Sequence, residues 1–101
     1  MSRRGLGEAH DTSLRQYVGQ RINLFRAMHL SATFLDEERT VLALREGEYA
    51  LTARVIFDVA FGYFYVGDCR WYRSDLTRAA DDDLPDGVRQ TLLRRFLQLL
   101  G

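Results

Sequence analysis

Apolar residues recur along this chain with two different periods, and the change of period divides it. Leu14, Val18, Ile22, Phe25 and Met28 follow steps of four, four, three and three, the stripe of an amphipathic helix. Asp11, Thr12 and Ser13 precede it with side chains suited to an N-cap. Gly19 lies inside the stripe and weakens a helix by about 1 kcal/mol relative to Ala, so either the helix breaks there or something packs closely against it. Ahead of this element, Arg3, Arg4, Gly5 and Gly7 surround Leu6, and residues 1–11 are expected to be a flexible tail.

From Ser31 onward short β-prone runs alternate with charged turn groups. Residues 32–35 and 39–45 read as strands, with turns at 36–38 and 46–48. Over residues 49–61 the period becomes two: Tyr49, Leu51, Ala53, Val55, Phe57, Val59 and Phe61 fall on one side, and Thr52, Arg54 and Asp58 on the other. The run also fits a helical spacing, but its β-branched and aromatic residues favour a pleated strand. Gly62 then predicts a bulge or bend, and Gly67 with Asp68 a two-residue hairpin turn leading into residues 69–73.

Pro85 is the only proline and suits the first turn of a helix. Val88, Leu92, Leu93, Phe96, Leu97 and Leu100 form an apolar stripe behind it, which predicts a C-terminal helix over residues 85–100. The expected fold is α+β: an antiparallel meander of four to five strands with an N-terminal and a C-terminal helix, built as one domain over residues 12–101.

Composition narrows the chemistry. The 101 residues are 47% hydrophobic and 28% charged, an ordinary globular balance. Basic and acidic residues number fourteen each, so the overall field attracts neither nucleic acid nor an anionic membrane. Every basic residue is Arg, a bias expected of a GC-rich bacterial or phage gene, and the lack of Lys excludes Schiff-base chemistry and a P-loop. One cysteine, Cys69, leaves no internal disulfide or cysteine-based zinc site. The polar N-terminus has no signal-like apolar core, and no run is long enough to span a membrane, so a cytoplasmic location is expected.

Each chemical constellation is weak. A calcium loop started at Asp82 has Gly87 at position six but Leu84 at position three and Leu93 at position twelve, so Asp81, Asp82, Asp83 and Asp86 are better read as anions at a helix N-terminus. Cys69 with His10 or His29 supplies the residue types of a thiolate and base, with no motif around them, so a Cys-dependent enzyme is the least favoured function. Gly62, Tyr63, Phe64, Tyr65 and Val66 form part of an RNA-recognition aromatic run, but the flanking positions are wrong. A single-stranded RNA-binding module is therefore the alternative, and no cofactor or metal is expected.

The favoured reading is a non-enzymatic protein-binding module, an adaptor, inhibitor or chaperone-like protein that is expected to form a homodimer. Tyr63 and Tyr65 share one face of their strand and Phe64 and Val66 the other, so both faces need a cover. Tyr63, Tyr65, Trp71 and Tyr72 are the candidate anchors, with Arg54, Arg70 and Arg73 as the polar rim. The element pattern is similar to that of secretion chaperones, dimers of a sheet and helices ending in a Leu-rich helix. That likeness assigns no residues.

Overall fold

The computed structural model describes residues 12–101, and the tail expected over residues 1–11 lies outside them. In chain order the elements are α1 (Thr12–Arg15), β1 (Arg21–Ile22), α2 (Phe25–His29), β2 (Thr33–Phe34), β3 (Val41–Glu46), β4 (Tyr49–Asp58), β5 (Tyr63–Arg73), a 3-10 turn (Asp81–Asp83) and α3 (Asp86–Leu97). The strands form one antiparallel sheet in the order β1-β5-β4-β3-β2. The α+β fold, its meander and a helix near each end agree with the sequence pattern.

The long N-terminal helix does not form. Gly19 adopts φ 90°, a conformation costly for residues with a Cβ, and the stripe divides there into α1, β1 and α2. The Gly19 amide donates to the Val66 carbonyl (2.7 Å) and the Val66 amide to Gln20 (2.8 Å), so the chain leaves α1 by joining the edge of β5. Leu14, Tyr17 and Ile22 are buried, whereas Phe25 and Met28, from the same stripe, point into water.

The two glycines after β4 exchange their expected roles. Pairing of β4 with β5 runs from Tyr49 opposite Arg73 to Asp58 opposite Tyr63, so the hairpin turn is residues 59–62, closed by the Gly62 amide donating to Asp58 (2.8 Å). Gly67 is not a turn. Arg54 faces Asp68 and Val55 faces Val66, which leaves Gly67 as the extra residue of a β-bulge. A Cβ on Gly67 would stand 2.4 Å from Ile56 Cδ1 and 2.8 Å from its Cγ1, so the side chain of Ile56 occupies the space that glycine leaves.

The bulge reverses the facing of β5 partway along. Directly opposed residues share a face, so Leu51 with Trp71, Ala53 with Cys69, Val55 with Val66 and Phe57 with Phe64 line one side. That side is the core. Leu92, Phe96 and Leu99 of α3 and the turn after it pack there with Leu42, Leu44, Leu14 and Tyr17. Tyr17 meets Phe96 edge to face, with ring centroids 5.5 Å apart. The helix stops at Leu97, which is exposed, and Leu99 turns inward instead. Arg95 holds the layers together: its guanidinium donates to the Arg45 carbonyl of β3 (2.8 Å) and to the Leu30 carbonyl after α2.

The acidic run does more than favour a helix terminus. Trp71 is fully buried, and its indole Nε1 donates to Asp81 Oδ1 (3.2 Å), which also accepts from Ser13 Oγ (2.8 Å). Asp83 caps the Ala80 amide and accepts from Arg73, while Asp86, in the first turn of α3, pairs with Arg89. Asp81 therefore satisfies the one polar atom of the largest core side chain.

Substitutions at Asp81 and Gly67 test this packing. Asp81→Ala strands the Trp71 N–H and should lower stability by about 1–3 kcal/mol, seen as a lower urea midpoint, whereas Asp81→Asn keeps the acceptor and should recover most of it. Gly67→Ala should cost about 1–3 kcal/mol by overpacking. In the Gly67→Ala/Ile56→Ala double variant most of that loss should disappear, and simple additivity of the two changes would show that Ile56 is not what the glycine accommodates.

Candidate protein interface

The other face of the sheet carries most of the residues singled out by sequence. Cross-strand pairing puts Tyr72 beside Ala50, Arg70 beside Thr52, Asp68 beside Arg54, Tyr65 beside Ile56 and Tyr63 beside Asp58 on that face. Arg21 joins it opposite Tyr65 and lies over the ring of Tyr63, 5.0 Å from its centroid. Ala43, Ala50 and Thr52, at the centre of this face, are short and buried. Arg70 is ion-paired to Asp68 (2.8 Å), and Arg54 is exposed.

Of the residues singled out by sequence, the structure thus brings together Tyr63, Tyr65, Tyr72, Arg54 and Arg70. It separates Trp71 and Arg73 from them. Trp71 is a core residue, because the bulge turns it to the helix side, and it is no surface anchor. Arg73 falls on the same side as Trp71 and is engaged within the chain, donating to Asp83 (3.1 Å) and to the Arg78 carbonyl (3.0 Å).

The larger apolar surface lies at one end of the molecule, where the sequence pattern places core. Phe25 is 88% exposed, Met28 84%, Val59 83%, Phe61 72% and Phe57 50%. The reason is length. A twelve-residue helix such as α3 is roughly 18 Å long, against roughly 33 Å for a ten-residue strand such as β4, so one helix does not roof both ends of the hairpin. Burial on the core side of β4 accordingly runs through Val55 and fails at Phe57. The fraying is partial: Phe57 packs on Phe64 with centroids 4.9 Å apart, and Phe61 stacks on Tyr63 at 5.9 Å.

Between this hairpin end and α2 runs an open groove of about 910 Å³. Phe25, Ala27 and Met28 form one wall and Gly62, Tyr63 and Phe64 the other, with Phe34 at its base and Arg21, Glu38 and Arg39 at its rim. Asp36 shapes the rim loop: its carboxylate accepts from the Thr40 and Val41 amides (2.9 and 3.0 Å) and from the Thr40 hydroxyl. The Thr40 hydroxyl bond, with the amides, holds the Asp36 carboxyl below the usual carboxylate range. Sequence reasoning missed Phe25, Met28, Phe57, Val59 and Phe61 as surface residues. The usable signals were Gly19, which cuts the first stripe, and the mismatch between strand and helix lengths.

The chemistry elsewhere is quiet. Cys69 is buried opposite Ala53, and burial, helped by the Asp68 carboxylate, pushes its thiol up to about 12. Tyr17 is also raised, by burial first and then by Cys69. His29 is exposed at the end of α2, and His10 lies outside the described residues. Among the described residues no group of His, Cys, Asp and Glu is arranged to hold a metal ion, and no helix is long and apolar enough to cross a membrane. Comparison with protein families, with curated proteins and with solved structures finds no match.

Cys69 gives a pH test of its surroundings. Because its folded pKa is raised, its contribution to stability is complete below the ordinary value of 9.0 and is lost as the pH climbs toward 12. Native protein at pH 8 should leave a thiol reagent such as DTNB unreacted until denaturant is added. Urea midpoints should fall between pH 9 and 12, less steeply in Cys69→Ala. Rapid labelling of the folded protein would mean that the thiol is not buried as described.

Proposed function

We propose that this chain is a small protein-binding module, an adaptor, inhibitor or chaperone-like protein, that engages its partner through the apolar end of the sheet. One observation carries the reading: Phe25 and Met28 line an open groove together with Gly62, Tyr63 and Phe64, and Phe57, Val59 and Phe61 of the adjoining hairpin are exposed as well. Taking about 200 Å² for an aromatic side chain and somewhat less for Met and Val, Phe25, Met28, Phe57, Val59 and Phe61 leave roughly 700 Å² of mainly apolar surface. The tyrosine face adjoins it through Tyr63, and Arg21, Arg54 and Arg70 supply the kind of polar margin that surrounds an apolar interface centre. The buried, protonated Cys69 weighs against a cysteine nucleophile.

A second reading draws on the tyrosine face. Tyr63, Tyr65 and Tyr72 with Arg54 and Arg70 on one side of a sheet are a set of rings and cations able to stack on bases and meet phosphates. Under this reading a single-stranded RNA oligonucleotide binds at low salt and is lost on Tyr65→Ala, and no retention at low salt removes it.

The protein-binding reading is tested by pull-down from the native host with wild-type protein and with the double variant Phe25→Asp/Phe61→Asp. Both residues are exposed, so circular dichroism should show the variant folded. Wild-type bait should retain a polypeptide, whether another copy or a different protein, that the variant loses. Identical retention by the two baits would refute the reading.

A further inference from the structure

The groove and the residues that project beside it belong to the same end of one molecule. Val59 and Phe61 stand at the tip of the β4–β5 hairpin, and Gly62 begins the groove wall immediately after them. Gly62 carries no side chain, and no heavy atom lies within 4 Å of the point where its Cβ would stand. The wall is therefore open to an approaching backbone. A projection and a recess on one patch allow that patch to be self-complementary, as an isologous contact requires.

We propose, building on the protein-binding reading, that the occupant of this groove is a second copy of the chain. In the resulting two-fold dimer, Val59 and Phe61 of each protomer enter the groove of its partner, against Phe25 and Met28. Three features suit a second copy. The area matches: roughly 700 Å² of exposed side chain at this end is close to the ~800 Å² per partner of a stable interface. The rim carries both signs, with Glu38 beside Arg39, so a two-fold rotation is able to set each against its opposite. The chain has a formal net charge of zero, so two copies meet without overall repulsion.

Light scattering and sedimentation of the full chain over a micromolar dilution series test the dimer, and Phe25→Asp and Phe61→Asp test its seat. Wild type should be dimeric, and each variant should remain folded while its dissociation constant rises about 30-fold or more, the effect of losing a central anchor. A second measurement fixes the geometry. When Val59→Cys protein is mixed with Met28→Cys protein, a short bis-maleimide should link unlike protomers, with the buried Cys69 taking no part. A dimer indifferent to both Asp substitutions, or one without that cross-link, overturns the groove as its seat. A monomer at every concentration overturns the dimer altogether. In that case, a polypeptide still retained by wild-type bait and lost by the double variant leaves the protein-binding reading standing with a different partner, whereas identical retention removes both.

Discussion

The extra residue in β5 governs the arrangement of almost everything around it. A strand alternates its side chains strictly, so inserting Gly67 between Val66 and Asp68 exchanges the two faces for the rest of the strand. Trp71 and Cys69 enter the core with Val66 and Phe64, and Tyr72 and Arg70 join Tyr65 and Tyr63 outside. Without the insertion, regular alternation would set Trp71 on the side of Tyr65, away from the helices. Glycine suits the position because Ile56 fills the room a side chain would take, on the outer face where Ile56 is half in water.

Placing Trp71 inside creates the requirement that organises the second half of the chain. An indole N–H in the core needs an acceptor, and Asp81 supplies it from the 3-10 turn that precedes α3. The same carboxylate takes the Ser13 hydroxyl, so α1, β5 and the approach to α3 converge on one residue. Arg95 does similar work at the opposite side of α3 through the carbonyls of Arg45 and Leu30. The short helices α1 and α2, with four and five residues, are far below the ~12–15 that sustain a helix in isolation, so tertiary contacts of this kind hold them.

The packed end and the apolar end of the molecule follow from the same geometry. Cover runs out past Val55 because the strands are longer than the helix above them, and the last pairs of the hairpin keep only each other. Phe57 with Phe64 and Phe61 with Tyr63 shelter part of their area this way. Apolar surface left in water is costly at about 25 cal/mol per Å², which is the physical ground for the binding proposed at that end.

Local signals in the sequence determined the kinds of element: the period-two run of β4, the Gly47–Glu48 hairpin turn between β3 and β4, the helix after Pro85 and the break at Gly19 are all legible in residue type and spacing. So was the surplus of apolar surface in the β4–β5 region, and Tyr63 and Tyr65 sharing a face. What lay beyond reach was pairing. Gly62 and Gly67 are equivalent punctuation in one dimension, and only the register against β4, set by contacts between residues far apart in the chain, makes the first a turn and the second a bulge. That register moved Trp71 from candidate anchor to core. Exposure of Phe25 and Phe61 was likewise decided in three dimensions, since an apolar stripe states that a residue prefers cover, and only the tertiary structure decides whether another element reaches far enough to provide it.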